Sequence, residues 1–214
     1  LFRILSKTGF GSILNISASL ANPMQPDLGV RGVFAREMVL PVARTMRFIG
    51  YRHAIVMHGE SGNGARGMDE FSPLGRTWVS ELMPDGGILE YRVQASDFGI
   101  VPQDAGQLAG EGSPDEEAFK ILGVLSGRDQ GVRMHSVGLN AAPVLCVAGL
   151  ARDLEQGYRK SLEAIRSGAA LEKLKAWVDH QNREPQRGGG KLARLFQELE
   201  ARRDDTKEDM AGTA

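Results

Sequence analysis

The segment from Leu28 to Glu60 is the part of this chain that most limits its fold. Leu28-Gly29-Val30-Arg31-Gly32-Val33-Phe34 is short, apolar and glycine-containing, the pattern of a strand buried on both faces. Val39, Val42, Ala43, Met46 and Ile49 then recur at helical spacing, while Arg36, Arg44 and Arg47 fall on the other faces. Pro41 has no amide hydrogen and is tolerated only in a first turn, so the helix is expected to begin near Glu37. Gly50 ends it, and His53-Ala54-Ile55-Val56-Met57-His58 supplies a second apolar strand. Strand, crossover helix and strand within about 30 residues require a parallel pair with a right-handed connection. The chain is therefore read as an α/β protein.

Two further strands are expected to pair antiparallel. Thr77-Trp78-Val79-Ser80-Glu81-Leu82 and Ile88-Leu89-Glu90-Tyr91-Arg92-Val93 flank Met83-Pro84-Asp85-Gly86-Gly87, a strong turn signal. Beyond a polar loop to Gly112 the pattern turns helical. Ser113-Pro114-Asp115-Glu116 offers a cap, a proline at the first position and acids in the first turn. Helices are expected over 114–126, 133–150, 153–167 and 169–181. Pro185 and the three glycines 188–190 make 183–190 a linker. Residues 191–214 then read as a short amphipathic helix, carried by Leu192, Leu195, Phe196 and Leu199, and a charged, disordered tail. Everything before the linker, 1–182, is assigned to one domain. No internal repeat occurs.

Composition removes several classes of function. The 214 residues are 42% hydrophobic and 25% charged, an ordinary globular balance. With 26 basic and 27 acidic side chains and a net charge of -1, no global field draws the chain to nucleic acid or an anionic membrane. The single cysteine, Cys146, excludes an intrachain disulfide and a cysteine-based zinc site, and its apolar setting marks it as a buried, inert thiol. No apolar run is long enough to span a bilayer. The chain starts Leu1-Phe2-Arg3-Ile4-Leu5, in mid-pattern and without a signal peptide, and reads as the later part of a longer product.

Chemistry concentrates in Gly67-Met68-Asp69-Glu70-Phe71-Ser72-Pro73. Two adjacent carboxylates behind the loop Ser61-Gly62-Asn63-Gly64-Ala65-Arg66-Gly67 suit a hard divalent cation, magnesium above all. That ion commonly takes one or two carboxylates and fills its shell with water and substrate phosphates. Taken alone, such a doublet is more often simply solvated. The histidines read as structural: His53 and His58 flank a strand, and His135 lies in an apolar helix. Ser72 reads as a turn hydroxyl, and Asn140 lies in a segment expected to be helical, where a structural hydrogen bond is at least as expected as a substrate contact. No catalytic residue is assigned, and no nucleophile–base arrangement is visible.

The order of these features resembles the C-terminal half of the anthranilate phosphoribosyltransferase family. Asn15 to Asn22-Pro23 is similar to its Asn-Pro segment, and Leu28–Glu60 to its strand–helix–strand ending in His-Gly-Glu. Gly67-Met68-Asp69-Glu70-Phe71-Ser72 matches its Gly-x-Asp-Glu-x-Ser motif. Asp97-Phe98-Gly99-Ile100, Asn140-Ala141-Ala142 and Ala164-Ile165-Arg166-Ser167-Gly168-Ala169-Ala170 follow in the family's order, so the likeness covers about 9–181. It implies a central, mostly parallel sheet flanked by helices. This is the large domain of a nucleoside phosphorylase/phosphoribosyltransferase-like two-domain fold, with the small helical N-terminal domain largely missing.

The resemblance also implies an activity. Phosphoribose would pass from phosphoribosyl pyrophosphate to anthranilate with release of pyrophosphate, a step of tryptophan biosynthesis. Magnesium (Mg2+) would be held by Asp69 and Glu70, with Arg3, Asn15 and Asn22 contacting substrate, in a cytoplasmic enzyme that is a homodimer at full length. Nucleic acid and membrane are not expected partners. The family's Gly-Thr-Gly-Gly-Asp and Lys-His-Gly-Asn segments do not occur here, so this chain alone is expected to be inactive. Ala18-Ser19 also stands where the family has Gly-Pro, which bears on the acceptor. Two other readings differ in kind. One is a divergent, non-catalytic binding protein, with nucleic acid among its conceivable ligands. The other is a related transferase or phosphorylase with another acceptor.

Overall fold

The structure is a computed structural model that describes residues 17–18, 20–62, 67–101, 104–110, 112–181 and 185–211. Arg3 and Asn15, expected at the substrate, lie outside the described residues, as does Ser19. The chain forms two compact units, one of Leu1–Ala105 with Ser136–Lys160 and one of Gly106–His135 with Ser161–Ala214.

In the first unit, β1 (Leu28–Gly32) runs parallel to β2 (His53–Glu60), with Leu28 opposite His53 and Gly32 opposite Met57. The crossover is a 3-10 turn, Arg36–Met38, leading into α1 (Val39–Phe48). Pro41 thus falls in the first turn, where its missing amide hydrogen costs nothing. Val39, Val42, Ala43 and Met46 form the buried stripe of α1 and meet Ala54 and Val56 of β2 together with Leu20, Val33 and Leu82. Each fully buried Val or Met in such a stripe contributes about 1.5–3 kcal/mol, so this contact seats α1 on the sheet.

β3 (Gly67–Met68) pairs antiparallel with the end of β2, and β4 (Arg76–Leu82) antiparallel with its length. β5 (Ile88–Gln94) returns antiparallel to β4, giving the order β1-β2-β4-β5. The α/β class is as the sequence implies. Among the described residues only β1–β2 is parallel, against the expectation of a mostly parallel sheet. The connection Met83 to Gly87 is a tight turn, closed by Met83 N–H to the Gly87 carbonyl, and a parallel return would need a dozen residues or more.

The second unit is helical. α2 (Pro114–Leu125) starts at a full capping box, Ser113 Oγ accepting from Glu116 N–H and Glu116 accepting from Ser113 N–H. α3 (Val132–Val147) and α4 (Leu154–Arg166) each contribute to both units, and α5 (Ala169–Gln181) and α6 (Pro185–Ala211) complete the second. The expected linker at 183–190 is corrected here: the chain is helical from Pro185 onward, through Gly188–Gly190 and into the segment expected to be a disordered tail.

Glycine costs about 0.8–1 kcal/mol per helical position, and burial elsewhere on the helix outweighs it. Leu195 and Leu199 are buried with Leu122, and Leu192 and Phe196 pack beside Phe119, Leu171 and Leu174. The expected boundary at 182 falls inside this unit for the same reason, since α2, α5 and α6 share one apolar cluster. No helix among the described residues is long and apolar enough to cross a membrane.

Candidate functional site

Asp69 and Glu70 occupy a bend directly after β3, and both are exposed, while Phe71, Ser72 and Pro73 behind them are buried. The bend crosses the carboxyl ends of the two parallel strands. A Cβ at Gly32, the last residue of β1, would overlap the Asp69 carbonyl, and one at Gly59 would meet the Glu70 carbonyl at 2.5 Å. Glycine at these two positions is what lets the backbone pass so close. The doublet therefore lies at the carboxyl edge of the parallel pair, the edge where ligands of open α/β sheets bind.

Hydrogen bonds fasten the bend from several sides. Ser72 Oγ donates to the Glu60 carbonyl and accepts from Leu74 N–H at 3.0 Å, and Ser72 N–H reaches Thr77 Oγ1 at 3.0 Å. Glu60 Oε2 takes the Arg76 N–H at 3.1 Å. From α3, Asn140 Oδ1 accepts the Phe71 N–H at 2.8 Å and Nδ2 donates to the Phe71 carbonyl at 3.1 Å. Ser72 is thus the turn hydroxyl that the sequence suggests, and Asn140 makes a structural bond.

Two charged groups complete the setting. Arg31, on β1, is partly buried; burial lowers its guanidinium pKa from the ordinary value while nearby Asp69 opposes that shift. Its Nε is buried without a hydrogen-bond partner among the described residues. His58 Nδ1 lies 2.7 Å from the Val33 carbonyl. A carbonyl only accepts, so that nitrogen carries the proton. A Cβ at Gly67 would overlap the other ring nitrogen, so His58 is packed as part of the support.

The remaining candidates stand elsewhere. Asn22 is exposed and its Oδ1 accepts from Met24 N–H at 2.9 Å, so its amide oxygen shapes a local turn. His53 Nε2 pairs with Glu81 at 2.9 Å, and Tyr91 OH donates to the same carboxylate at 2.9 Å, a cross-strand network on β2, β4 and β5. Burial and this carboxylate drive the Tyr91 hydroxyl pKa far up. Burial first, then Glu81 and Asp153, push the Cys146 thiol up to about 11, so it stays protonated and unreactive at neutral pH. His135 is held below its ordinary pKa by burial and by Arg166.

In the second unit an open cleft of about 1010 Å³ lies between α2 and α6, but Asp115 is paired there with Lys191 and Arg194, and Arg133 with Asp129. Arg31 escaped the sequence reading. A charged residue inside a glycine-rich strand that must be buried was the available signal.

Among the described residues no three His, Cys, Asp or Glu side chains gather as a closed metal cage. Two exposed carboxylates do fit an ion that keeps water and takes the rest of its shell from a phosphate-bearing ligand.

Residues 3–171 match the glycosyl transferase family, a/b domain. The chain is 39% identical over 173 residues to anthranilate phosphoribosyltransferase of Myxococcus xanthus (strain DK1622), covering 80% of this chain and 48% of that one. The enzyme of the same name from Shewanella amazonensis is 33% identical over 171 residues, covering 80% and 47%. The chain spans about half the length of the curated relatives it matches. The crystal structure of anthranilate phosphoribosyltransferase from Thermus thermophilus superposes with a TM-score of 0.69 at 28% identity, over 82% of this chain and 49% of that one. A Saccharomyces cerevisiae variant with Mg bound shares the fold at a TM-score of 0.68 and 23% identity, over 83% and 50%. The strand–helix–strand unit, the acidic bend and the late helices are accordingly those of a family member: the chain belongs to the anthranilate phosphoribosyltransferase-like glycosyltransferases and matches their C-terminal portion.

Proposed function

We propose that this chain forms the metal-holding portion of an anthranilate phosphoribosyltransferase. The observation that carries the reading is the placement of Asp69 and Glu70, exposed on a fastened bend at the carboxyl edge of β1 and β2. In the proposed reaction the bond between the anomeric carbon of phosphoribosyl pyrophosphate and its pyrophosphate oxygen breaks. The amino nitrogen of anthranilate bonds to that carbon and releases a proton. The chemistry magnesium would supply, when held there, is positive charge against the negative charge developing on the departing diphosphate.

Asp69 and Glu70 would hold that ion, and the fastened bend would orient their carboxylates toward it. Arg31 adds a permanent positive charge near Asp69. Such a charge disfavours a bare cation and favours one that arrives with its diphosphate. The phosphate cradle itself is not among these 214 residues, which contain no Gly-Thr-Gly-Gly-Asp. Turnover therefore needs the remainder of the fold, in a protein we place in the cytoplasm as a homodimer.

The test uses the longest chain the gene encodes, with phosphoribosyl pyrophosphate, magnesium and anthranilate. Asp69→Asn and Glu70→Gln should each lower anthranilate consumption on the order of hundredfold or more. Activity untouched by both substitutions, or no consumption by the unaltered protein, would remove the assignment.

A further inference from the structure

We infer that Asn140 is a positioning residue for the acidic bend, a clamp that aims Asp69 and Glu70 without consuming either carboxylate. The inference rests on the reading of that doublet as the cation site.

The Asn140 amide is fully committed. Its oxygen accepts from Phe71 N–H at 2.8 Å, one amide proton goes to the Phe71 carbonyl at 3.1 Å, and the other to the Ser136 carbonyl at 3.0 Å. A side-chain amide has two protons, and both are assigned to these carbonyls. The Glu70 Oε2, at 3.5 Å from the same nitrogen, is a neighbour at the limit of hydrogen bonding and keeps its lone pairs for a ligand.

The geometry has two parts with different effects. The bond to Ser136, one helical turn back, fixes the rotation of the amide. The paired bonds to Phe71 imitate one rung of a sheet ladder and arrest the backbone one residue after Glu70. Gly32 and Gly59 limit the bend from the strand side, so the carboxylates stand between two fixed supports. Asparagine inside a helix is a weak helix former, which a purely apolar contact would not demand.

Other side chains lack the pairing. Alanine offers no polar atom. Aspartate retains an acceptor for Phe71 N–H but sets a carboxylate against two carbonyls and against Glu70. The experiment titrates manganese(II) into the longest chain the gene encodes by equilibrium dialysis, with the same inorganic pyrophosphate on both sides of the membrane, and reads the excess metal on the protein side. The unaltered chain should bind saturably, and Asp69→Asn should not bind. Asn140→Ala and Asn140→Asp should each weaken binding by about tenfold or more, since the doublet loses its aim. Val124→Ala, a buried site in the second unit, serves as the control for lost stability and should leave the affinity unchanged.

Binding by both Asn140 variants equal to the unaltered chain, with Asp69→Asn still inactive in binding, would overturn the clamp and leave the cation site standing. Equal weakening by Val124→Ala would overturn the clamp as well, by showing general loosening. No saturable binding by the unaltered chain would overturn the cation site and the clamp with it.

Discussion

Glycine sits in two contrasting places in this molecule, under the acidic bend and inside α6. At Gly32 the room that a Cβ would occupy is filled by the Asp69 carbonyl, a rigid backbone atom. At Gly190 a Cβ would meet nothing within 4 Å. The first glycine is demanded by a close approach; the second is merely endured, because Leu195 and Leu199 of the same helix are buried. The supports differ in kind as well. The bend leaves its carboxylates in solvent and must be fastened by hydrogen bonds from Asn140, Ser72 and Glu60. Helix α6 is fastened mainly by the apolar area of Leu192, Leu195, Phe196 and Leu199, with Lys191 and Arg194 paired to Asp115 at its edge. A site that must remain wet is built with polar fasteners, and a closure can be built with oily ones.

The contrast is easiest to break at Gly32. Gly32→Ala should cost about 3 kcal/mol or more in urea denaturation, since forced overlap with backbone sits at the upper end of overpacking penalties. A cost near zero would show that the bend is loosely held. In the second unit, Leu195→Ala should cost about 2–4 kcal/mol and lower the helical signal in circular dichroism. A cost below about 0.5 kcal/mol would mean that α6 does not depend on that burial.

Gly190→Ala carries the opposite sign. It should stabilise by about 0.8–1 kcal/mol, because it adds helix propensity and meets no obstacle. Destabilisation there would erase the distinction between the two glycines. The smallest effect is electrostatic. Hydrogen bonding and charge from Lys191, then Arg194, hold the exposed Asp115 carboxyl below its ordinary value of 3.8. A depressed folded pKa means stabilisation that is present above 3.8 and lost as pH falls through the folded value. Helicity should therefore be indifferent to this pair between pH 7 and 5, and Asp115→Asn should flatten the decline below pH 4. An unchanged acid limb in that variant would assign the decline to other groups.

Local patterns were the readable part of this chain. The four helices expected over 114–126, 133–150, 153–167 and 169–181 lie at Pro114–Leu125, Val132–Val147, Leu154–Arg166 and Ala169–Gln181. Their caps and apolar spacings are contained within each segment. The hairpin of β4 and β5 was equally plain from Met83 to Gly87. What escaped depends on residues distant in sequence. Three glycines announce a linker, whereas the helix they belong to packs its later residues against Leu122 and Leu174. The acidic doublet was visible as a motif, but its hold by Asn140, about 70 positions onward, was not. Arg31 gains a meaning only from the fold, which brings Asp69 beside it.

The pairing of Gly59 with Met68 and Glu60 with Gly67 joins β2 and β3 in a neck ahead of the acidic bend. Ser72 and Arg76 tie the Glu60 side of that neck again, through its carbonyl and its carboxylate. Glu60 and Gly67 are thereby sewn into one sheet edge just ahead of the two acids. Asp69 and Glu70 therefore take their bearing from paired strands on one side and from a hydrogen-bonded turn on the other.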